Sequence, residues 1–208
     1  MPGTSAVRPA GRGRPRRQGG RGRERLLVLG AVITLAALFA AGVLARGGRP
    51  SPAAAAPGRL VDGIGAGSTE QLAFHIHAHL AVYVNGRQES IPYGIGVLPP
   101  LQLQQTADGP FVVGGAAFYW LHTHDSSGVI HIESPVRRQY TLGEFFDIWG
   151  RPLGPTQVGP VRGPVTVLVD GRRLPGDPRE VPLDAHRVIQ LDVGSVVPFQ
   201  PFTFPSGL

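Results

Sequence analysis

The feature that most constrains the fold is the run FHIHAHLAVYV at residues 74–84, in which every second residue is apolar. Because successive side chains of a strand point to opposite faces, the run predicts a β-strand. One face carries only apolar side chains: Phe74, Ile76, Ala78, Leu80, Val82 and Val84. The other face begins with three histidines: His75, His77 and His79. We therefore expect the core of the domain on the apolar side of this strand, with the histidines pointing away from it.

Two turn signals predict hairpins in a mainly β domain that covers residues 71–208. Asn85–Gly86 follows the histidine strand directly, and Asp170–Gly171 follows a second alternating run, PVTVLV. Both dipeptides favour two-residue hairpin turns, because their backbones readily adopt positive φ. The predicted fold class is therefore a two-layer, sandwich-like β arrangement built from hairpins, with one short helix.

The segment YTLGEFFDIWG predicts that helix at about residues 141–149. Thr141 and Glu144 have the spacing of a capping box, in which each side chain bonds the backbone N–H of the other residue. The apolar residues that follow share one helical face: Leu142, Phe145, Phe146 and Trp149. Gly150 and Pro152 are expected to end the helix.

A second histidine-rich block, YWLHTHDSSGVIHIE, occupies residues 119–133. His122 and His124 share one face of a predicted strand. After the turn SSG, His131 and Glu133 share one face of the next strand, and isoleucines fill the other face. The two blocks hold six of the seven histidines in the chain. If their strands are neighbours, about 4.8 Å apart, the imidazoles converge on one polar patch.

This convergence predicts a transition-metal site. Histidines at i and i+2 of a strand have Cα atoms roughly 6.6 Å apart, close enough to share an ion, whereas His75 and His79 are about 13 Å apart. We therefore expect two ions, or one ion with a histidine left over. Imidazoles with a carboxylate suit zinc, copper(II), iron(II) or nickel, and of these we expect zinc or copper. The chain has no cysteine, which excludes thiolate ligands. The candidate ligands are His75, His77, His79, His122, His124 and His131, with Glu133 or Asp125 as a further ligand or as a base.

Two other functions fit the same residues. An ion with three histidines and an open position could activate water, with Glu133 or Asp125 as the base, so a metal-dependent hydrolase or hydratase is one alternative. The other is a module that docks a partner protein through a pH-sensitive histidine patch, because the unperturbed pKa of histidine is about 6.5. The sequence alone does not decide whether the protein is an enzyme. His186, in a separate hairpin, is expected to be structural.

Residues 26–45 predict where the domain is placed. They form an uncharged apolar run of 20 residues, long enough for a helix to span a hydrocarbon core of roughly 30 Å. Eight arginines precede it in residues 1–25, so the positive-inside rule places this disordered Arg/Gly-rich tail in the cytoplasm. Residues 46–70 are rich in Gly, Ala and Pro and predict a flexible linker to an extracytoplasmic domain at 71–208. A cleaved signal peptide is the alternative, but its apolar region usually runs only about 7–15 residues.

The positive charge of the chain belongs to its first residues rather than to the domain. The formal charge is +6, but residues 57–208 hold ten arginines and thirteen acidic residues, a net charge near −3. The arginine-rich tail has no aromatic residue for base stacking and adjoins the predicted membrane span, so anionic lipid is its expected partner. No nucleic-acid partner is expected.

Several blocks of residues 72–205 carry a resemblance to known sequences: HIHAHLAVYVNG, IPYGIGV, YWLHTHDSSGVIHIESP, YTLGEFFDIWG and QLDVG. The H-x-H-x-H and L-H-T-H-D-x-x-G-x-x-H-x-E patterns are its most specific parts. The chain resembles a family of membrane-anchored prokaryotic proteins whose domain lies outside the cytoplasm. The resemblance implies that same location and assigns no activity.

Overall fold

The computed structural model describes residues 58–208, which form a mainly β fold with one short α-helix, as the sequence predicts. In chain order, the strands are β1 (Ala66–Gly67), β2 (Phe74–Val84), β3 (Arg87–Glu89), β4 (Val97–Leu98), β5 (Gln102–Thr106), β6 (Gly109–Gly114), β7 (Ala117–Tyr119), β8 (Leu121–His122), β9 (Val129–Ser134), β10 (Leu153–Gly154), β11 (Gln157–Val158), β12 (Val161–Arg162), β13 (Val165–Val169), β14 (Arg172–Leu174) and β15 (Arg187–Val193). The helix α1 spans Leu142–Trp149, and a 3-10 helix spans Pro178–Glu180.

The strands are divided among several sheets rather than two layers. The largest sheet has seven strands in the order β14–β13–β15–β2–β9–β8, with β3 paired to one end of β2. Three small sheets contain β1, β7 and β4, then β10 to β12, and finally the β5–β6 hairpin. Most strands of these small sheets are only two or three residues long, because the glycines and prolines around them prevent longer ladders.

The strand β2 lies at the centre of the seven-stranded sheet. It pairs with β15 in parallel along residues 78–84, and with β9 in the antiparallel sense along residues 74–79. The sequence predicts hairpins but not the parallel pair, because β2 and β15 are far apart in the chain and no local turn joins them.

The apolar face of β2 packs into the main core, as predicted. Ala78 and Leu80 are almost fully buried there, and α1 contributes Phe145 and Phe146, neither of which has exposed surface. Each large apolar side chain buried in this way stabilises the fold by roughly 1.5–3 kcal/mol. The core therefore lies between one face of the sheet and the helix.

The predicted helix is confirmed together with its caps. The Glu144 N–H donates to Thr141 Oγ1 at 3.3 Å, and the Thr141 N–H donates to Glu144 Oε2 at 2.8 Å. At the other end, Gly150 takes the left-handed conformation with φ of 70°. Glycine takes this conformation without steric cost, so the chain can turn out of the helix there.

Both predicted hairpins also form. β2 and β3 pair across Asn85–Gly86, and β13 and β14 pair across Asp170–Gly171. The φ angles of the four turn residues are all positive, from 49° to 84°. Such turns match the natural twist of the strands that they join.

The histidine side of the sheet is buried as well, because two distant segments lie against it. The Phe202 ring, in the extended C-terminal segment, stacks on His79 with 3.8 Å between ring centroids. From the β5–β6 hairpin, Phe111 stacks on His124 at 4.9 Å. The histidines therefore point away from the main core, as expected, but all except the partly exposed His75 point into a second interior rather than into solvent.

The predicted flexible linker at 46–70 needs correction in its last part, which belongs to the fold. Ile64 has no exposed surface, and Val61 is also buried in the main core. The small residues that predict flexibility serve close packing here: a Cβ added at Gly65 would lie 3.2 Å from the Trp120 ring. Composition alone does not distinguish these two uses of glycine.

The predicted tail at 1–25, the predicted span at 26–45 and the beginning of the linker at 46–57 lie outside the described residues. Within residues 58–208, no helix is both long and apolar enough to cross a membrane. The membrane span stays a prediction from the sequence.

Gly96 lies against β8 in a position that only glycine fits. Its φ is 74°, and an added Cβ would lie 2.3 Å from the Leu121 carbonyl oxygen and 3.1 Å from the His122 Cβ. The oxygen belongs to the backbone of β8 and cannot give way unless the strand moves. Close contact at Gly96 therefore helps to position His122.

We expect Gly96→Ala to lower the free energy of unfolding more than Gly63→Ala does. The difference should be about 1–3 kcal/mol, the usual cost of overpacking an interior. Gly63 is the matched control, because its φ of 77° imposes a similar backbone strain while nothing lies within 4 Å of an added Cβ. Chemical denaturation of both variants measures the difference. Equal losses in the two variants would contradict the close packing of Gly96 on β8.

Candidate metal centre

The strands that carry His77, His131 and His122 are neighbours, which is the condition under which the sequence predicts convergence. The predicted strand of His122 and His124 ends at His122, so His124 lies two residues beyond β8. His77 on β2 lies opposite His131 on β9, and His131 lies opposite His122 on β8. Two residues before His77 on β2, His75 lies opposite Glu133 on β9. Because side chains alternate along each strand, this register brings all five to the same side of the sheet.

Most of these side chains are buried. His122 has no exposed surface, and Glu133 is only 3% exposed. His75 lies at the edge of the cluster, where its side chain is 37% exposed. A carboxylate buried as deeply as Glu133 needs a compensating positive charge or hydrogen-bond donors, because it has lost its hydration.

Two overlapping groups of ligand atoms could each hold a metal ion. The inner group consists of His122, His124, His131 and Glu133. The outer group consists of His75, His77, His131 and Glu133. Within each group, one nitrogen or oxygen atom per residue lies within 4.8 Å of all the others.

Backbone carbonyls determine which ring nitrogen of two inner histidines carries a hydrogen. His122 Nδ1 lies 2.8 Å from the Tyr119 carbonyl oxygen, and His124 Nδ1 lies 2.5 Å from the Val112 carbonyl oxygen. A carbonyl oxygen only accepts hydrogen bonds, so both Nδ1 atoms must be donors. In a neutral imidazole the other nitrogen, Nε2, then carries a lone pair.

These two lone pairs face each other. The Nε2 atoms of His122 and His124 are 3.1 Å apart, yet neither neutral ring has a hydrogen to place between them. Glu70 Oε1, a further acceptor, lies 3.3 Å from His124 Nε2. Buried acceptors gathered in this way require a cation among them, either a proton on one of the rings or a metal ion.

Burial disfavours a proton on three histidines of the centre: His77, His122 and His131. Loss of hydration lowers the pKa of His122 to about 3 and that of His131 to about 2. In the outer group, burial and, to a smaller extent, nearby His75 lower the pKa of His77 to about 4. These three imidazoles are therefore neutral at pH 7, which is the form that binds metal ions.

Glu133 lies between the two groups and has one oxygen without a partner. Its Oε1 is 3.1 Å from His75 Nε2 and 3.2 Å from His131 Nδ1. Its Oε2 is buried, has no hydrogen-bond partner and lies 3.8 Å from His122 Nε2. Buried polar atoms of native proteins are almost always satisfied, so this oxygen marks a position where an ion would complete the site.

Two candidates from the sequence lie outside both groups. The His79 ring donates from Nε2 to the Ser127 carbonyl oxygen at 3.0 Å. Asp125 accepts from the Ser127 N–H at 2.9 Å and so stabilises the turn before β9. His79 and His75 are thus separated, in line with the strand spacing that places them too far apart for one ion. His186 also lies outside both groups.

Glu70 lies near the centre and is not among the ligands predicted from the sequence. Composition assigns it to the linker, but its carboxylate approaches His124 and is 36% exposed. The available signal is an isolated acidic residue four positions before β2. The carbonyls of Tyr119 and Val112 have no sequence signal at all, because every residue has a carbonyl group.

We expect the metal-free protein to lose stability as the pH falls from 7 to 5. The pKa values of His122 and His131 in the fold lie below the ordinary value of about 6.5, so the unfolded chain takes up protons that the folded chain does not. Stability is therefore fully present above pH 6.5 and is lost below it, by about 2 kcal/mol for each histidine at pH 5. Urea denaturation after chelator dialysis measures the loss. His122→Asn is the control, because removal of one titrating group should make the loss smaller, and a free energy of unfolding independent of pH would contradict the prediction.

Comparison with known proteins adds no assignment. No protein-family model matches the chain. No curated protein and no solved structure is significantly similar to it either. The function is therefore inferred from the arrangement of side chains in the centre.

Proposed function

We propose that this protein binds a transition-metal ion, zinc or copper, in the inner group of the centre. The observation that carries the proposal is that the Nε2 atoms of His122 and His124 face each other at 3.1 Å while both Nδ1 atoms donate to backbone carbonyls. A metal ion between them turns a repulsive contact into two coordinate bonds. Glu133 Oε2, which has no other partner, supplies the negative charge that such an ion needs.

The spacing of the inner group suits one ion. In a tetrahedral site with bonds of about 2.0–2.1 Å, neighbouring ligand atoms are about 3.3 Å apart. The two Nε2 atoms are 3.1 Å apart, and Glu133 Oε2 is 3.8 Å from His122 Nε2. Both separations are close to the tetrahedral value.

The hydrogen bonds behind the ligands support the same function. Histidine ligands generally donate their other ring N–H to a carbonyl or carboxylate, which fixes the tautomer and aims the free nitrogen at the metal. His122 and His124 do so through the Tyr119 and Val112 carbonyls. The two rings are therefore held in a ligating orientation by the backbone.

The donor set favours zinc or copper, and it favours binding over catalysis. Imidazole nitrogens with one carboxylate suit both ions, and the chain has no cysteine to supply a softer ligand. Four protein ligands fill a tetrahedral site, whereas catalytic zinc sites keep one position open for water. We therefore propose metal handling or a structural ion for the inner group, rather than hydrolysis.

We also propose that this domain lies outside the cytoplasm and is anchored by residues 26–45. The support comes from the sequence: an uncharged run of 20 residues follows eight arginines. In that location the centre would meet metal ions before they enter the cell.

We expect the full chain, without an added histidine tag, to bind at least one Zn²⁺ or Cu²⁺ ion per molecule after removal of endogenous metal. An ion present at 100 times its Kd stabilises the folded state by about 2.7 kcal/mol, so the melting temperature should rise. Elemental analysis and thermal denaturation measure the two effects. A chain that binds no ion would contradict the proposal.

The variant His122→Asn tests the ligand assignment, because asparagine can still donate to the Tyr119 carbonyl but has no atom in place of Nε2. We expect the affinity for the tightest ion to fall at least about 100-fold, since even the loss of a supporting hydrogen bond costs 10–100-fold. His186→Asn is the matched control, because it removes a histidine that bonds the Leu208 carbonyl instead. Unchanged affinity in His122→Asn would remove the inner group from the proposal.

A reporter fusion tests the location. Alkaline phosphatase joined after residue 208 should be active in a bacterial host, because this enzyme folds only outside the cytoplasm and residues 26–45 should carry it across. The same fusion without residues 26–45 is the control and should be inactive. Equal activity with and without the segment, or none with it, would contradict the proposed anchor.

A further inference from the structure

We infer that the centre takes a second divalent transition-metal ion in the outer group, joined to the first by the Glu133 carboxylate. This inference rests on the proposed function, because it presupposes an ion in the inner group. It goes further in assigning a two-ion centre with a bridging carboxylate and a separate pair of histidines for each ion.

Glu133 is placed to bridge, because its two oxygens face different groups. Oε1 lies 3.1 Å from His75 Nε2, a ligand atom of the outer group. Oε2 lies 3.8 Å from His122 Nε2, a ligand atom of the inner group, and has no hydrogen-bond partner. A carboxylate that offers one oxygen to each of two ions is suited to the separation of about 3.5–4 Å found in two-metal sites.

The histidines form two separate pairs. The Nε2 atoms of His75 and His77 are 2.9 Å apart, and those of His122 and His124 are 3.1 Å apart. Two ligand atoms of one ion are at most about 4.2 Å apart, which is twice a bond of about 2.1 Å. The ligand atoms of the two pairs do not all lie within 4.8 Å of one another. One ion in this arrangement therefore cannot bind both pairs, and an ion on the inner pair leaves the outer pair for a second ion.

His131 lies between the pairs and can complete either ion. Its ring centroid is 4.5 Å from that of His77 on one side and 4.5 Å from that of His124 on the other. With Glu133 shared, each ion has two histidines and one carboxylate oxygen of its own, and His131 adds a fourth ligand to one of them. The remaining ion keeps an open position.

The surroundings allow two cations in this space. Glu70, 3.3 Å from His124 Nε2, adds a second negative charge to that of Glu133 and offsets part of the repulsion between the ions. His75 is 37% exposed, so an ion in the outer group reaches solvent, while the inner group is buried. The two ions therefore differ in access, and the outer one should exchange faster.

The test is a Cu²⁺ titration of the full, metal-free chain, followed by elemental analysis and electron paramagnetic resonance. We expect two ions per chain at saturation. The integrated spin per copper should be close to one for the first equivalent and should fall as the second binds, because two bridged Cu²⁺ ions couple magnetically.

The variant His75→Asn separates the two sites. It removes an outer ligand that is partly exposed, so the fold and the inner group should be retained. We expect one tightly bound ion with full spin, and an affinity for the second ion at least about 100-fold lower than in the wild type. His186→Asn is again the matched control and should bind two ions.

The outcomes distinguish the two proposals. One ion per chain in both the wild type and His75→Asn, with uncoupled spin, would overturn the second site and leave the inner site standing. Two ions in His75→Asn with unchanged affinity would overturn the assignment to the outer group. No bound ion in any form would overturn both proposals together.

Discussion

The pairing register between β2 and β9 is the constraint on which both the core and the candidate metal centre depend. It places Ala78 opposite Ile130 on the apolar side and His77 opposite His131 on the other. Because side chains alternate along a strand, a shift of one residue would turn the histidines into the main core and the apolar side chains out of it. The apolar packing behind the sheet therefore fixes the positions of the metal-ligating atoms on its other side.

Because both faces of the sheet are buried, polar groups on the histidine side lose their hydration, which costs free energy. Phe111 and Phe202 stack on the rings of His124 and His79, and Glu133 Oε2 is buried without a hydrogen-bond partner. In such a surrounding an unsatisfied polar group is costly, and a satisfied one is strongly held. The proposed ion would convert this cost into binding energy, which couples metal binding to the stability of the fold.

The parts of the structure that the sequence predicts are those whose signals are local. Alternation predicts β2, a capping box predicts α1, and Asn85–Gly86 predicts the first hairpin; all three form. The parallel pairing of β2 with β15 and the cover provided by Phe202 join segments that are far apart in the chain, so no local pattern contains them. The convergence of the histidines can be predicted only because alternation within each strand identifies its apolar face, and the histidines lie on the opposite face.

The candidate site also has a part that the sequence predicts and a part that it does not, and the two histidine pairs differ in the second part. Spacing along the strands predicts which histidines approach one another, but their hydrogens depend on backbone carbonyls that the sequence does not reveal. In the inner pair, the Tyr119 and Val112 carbonyls take the hydrogens and leave two lone pairs in conflict. No carbonyl of the described residues accepts from the rings of His75 or His77, so their Nε2 atoms, 2.9 Å apart, can share an ordinary N–H···N hydrogen bond. Only the inner pair requires a cation in order to be stable, and for that reason it, rather than the more accessible outer pair, carries the argument for a bound metal.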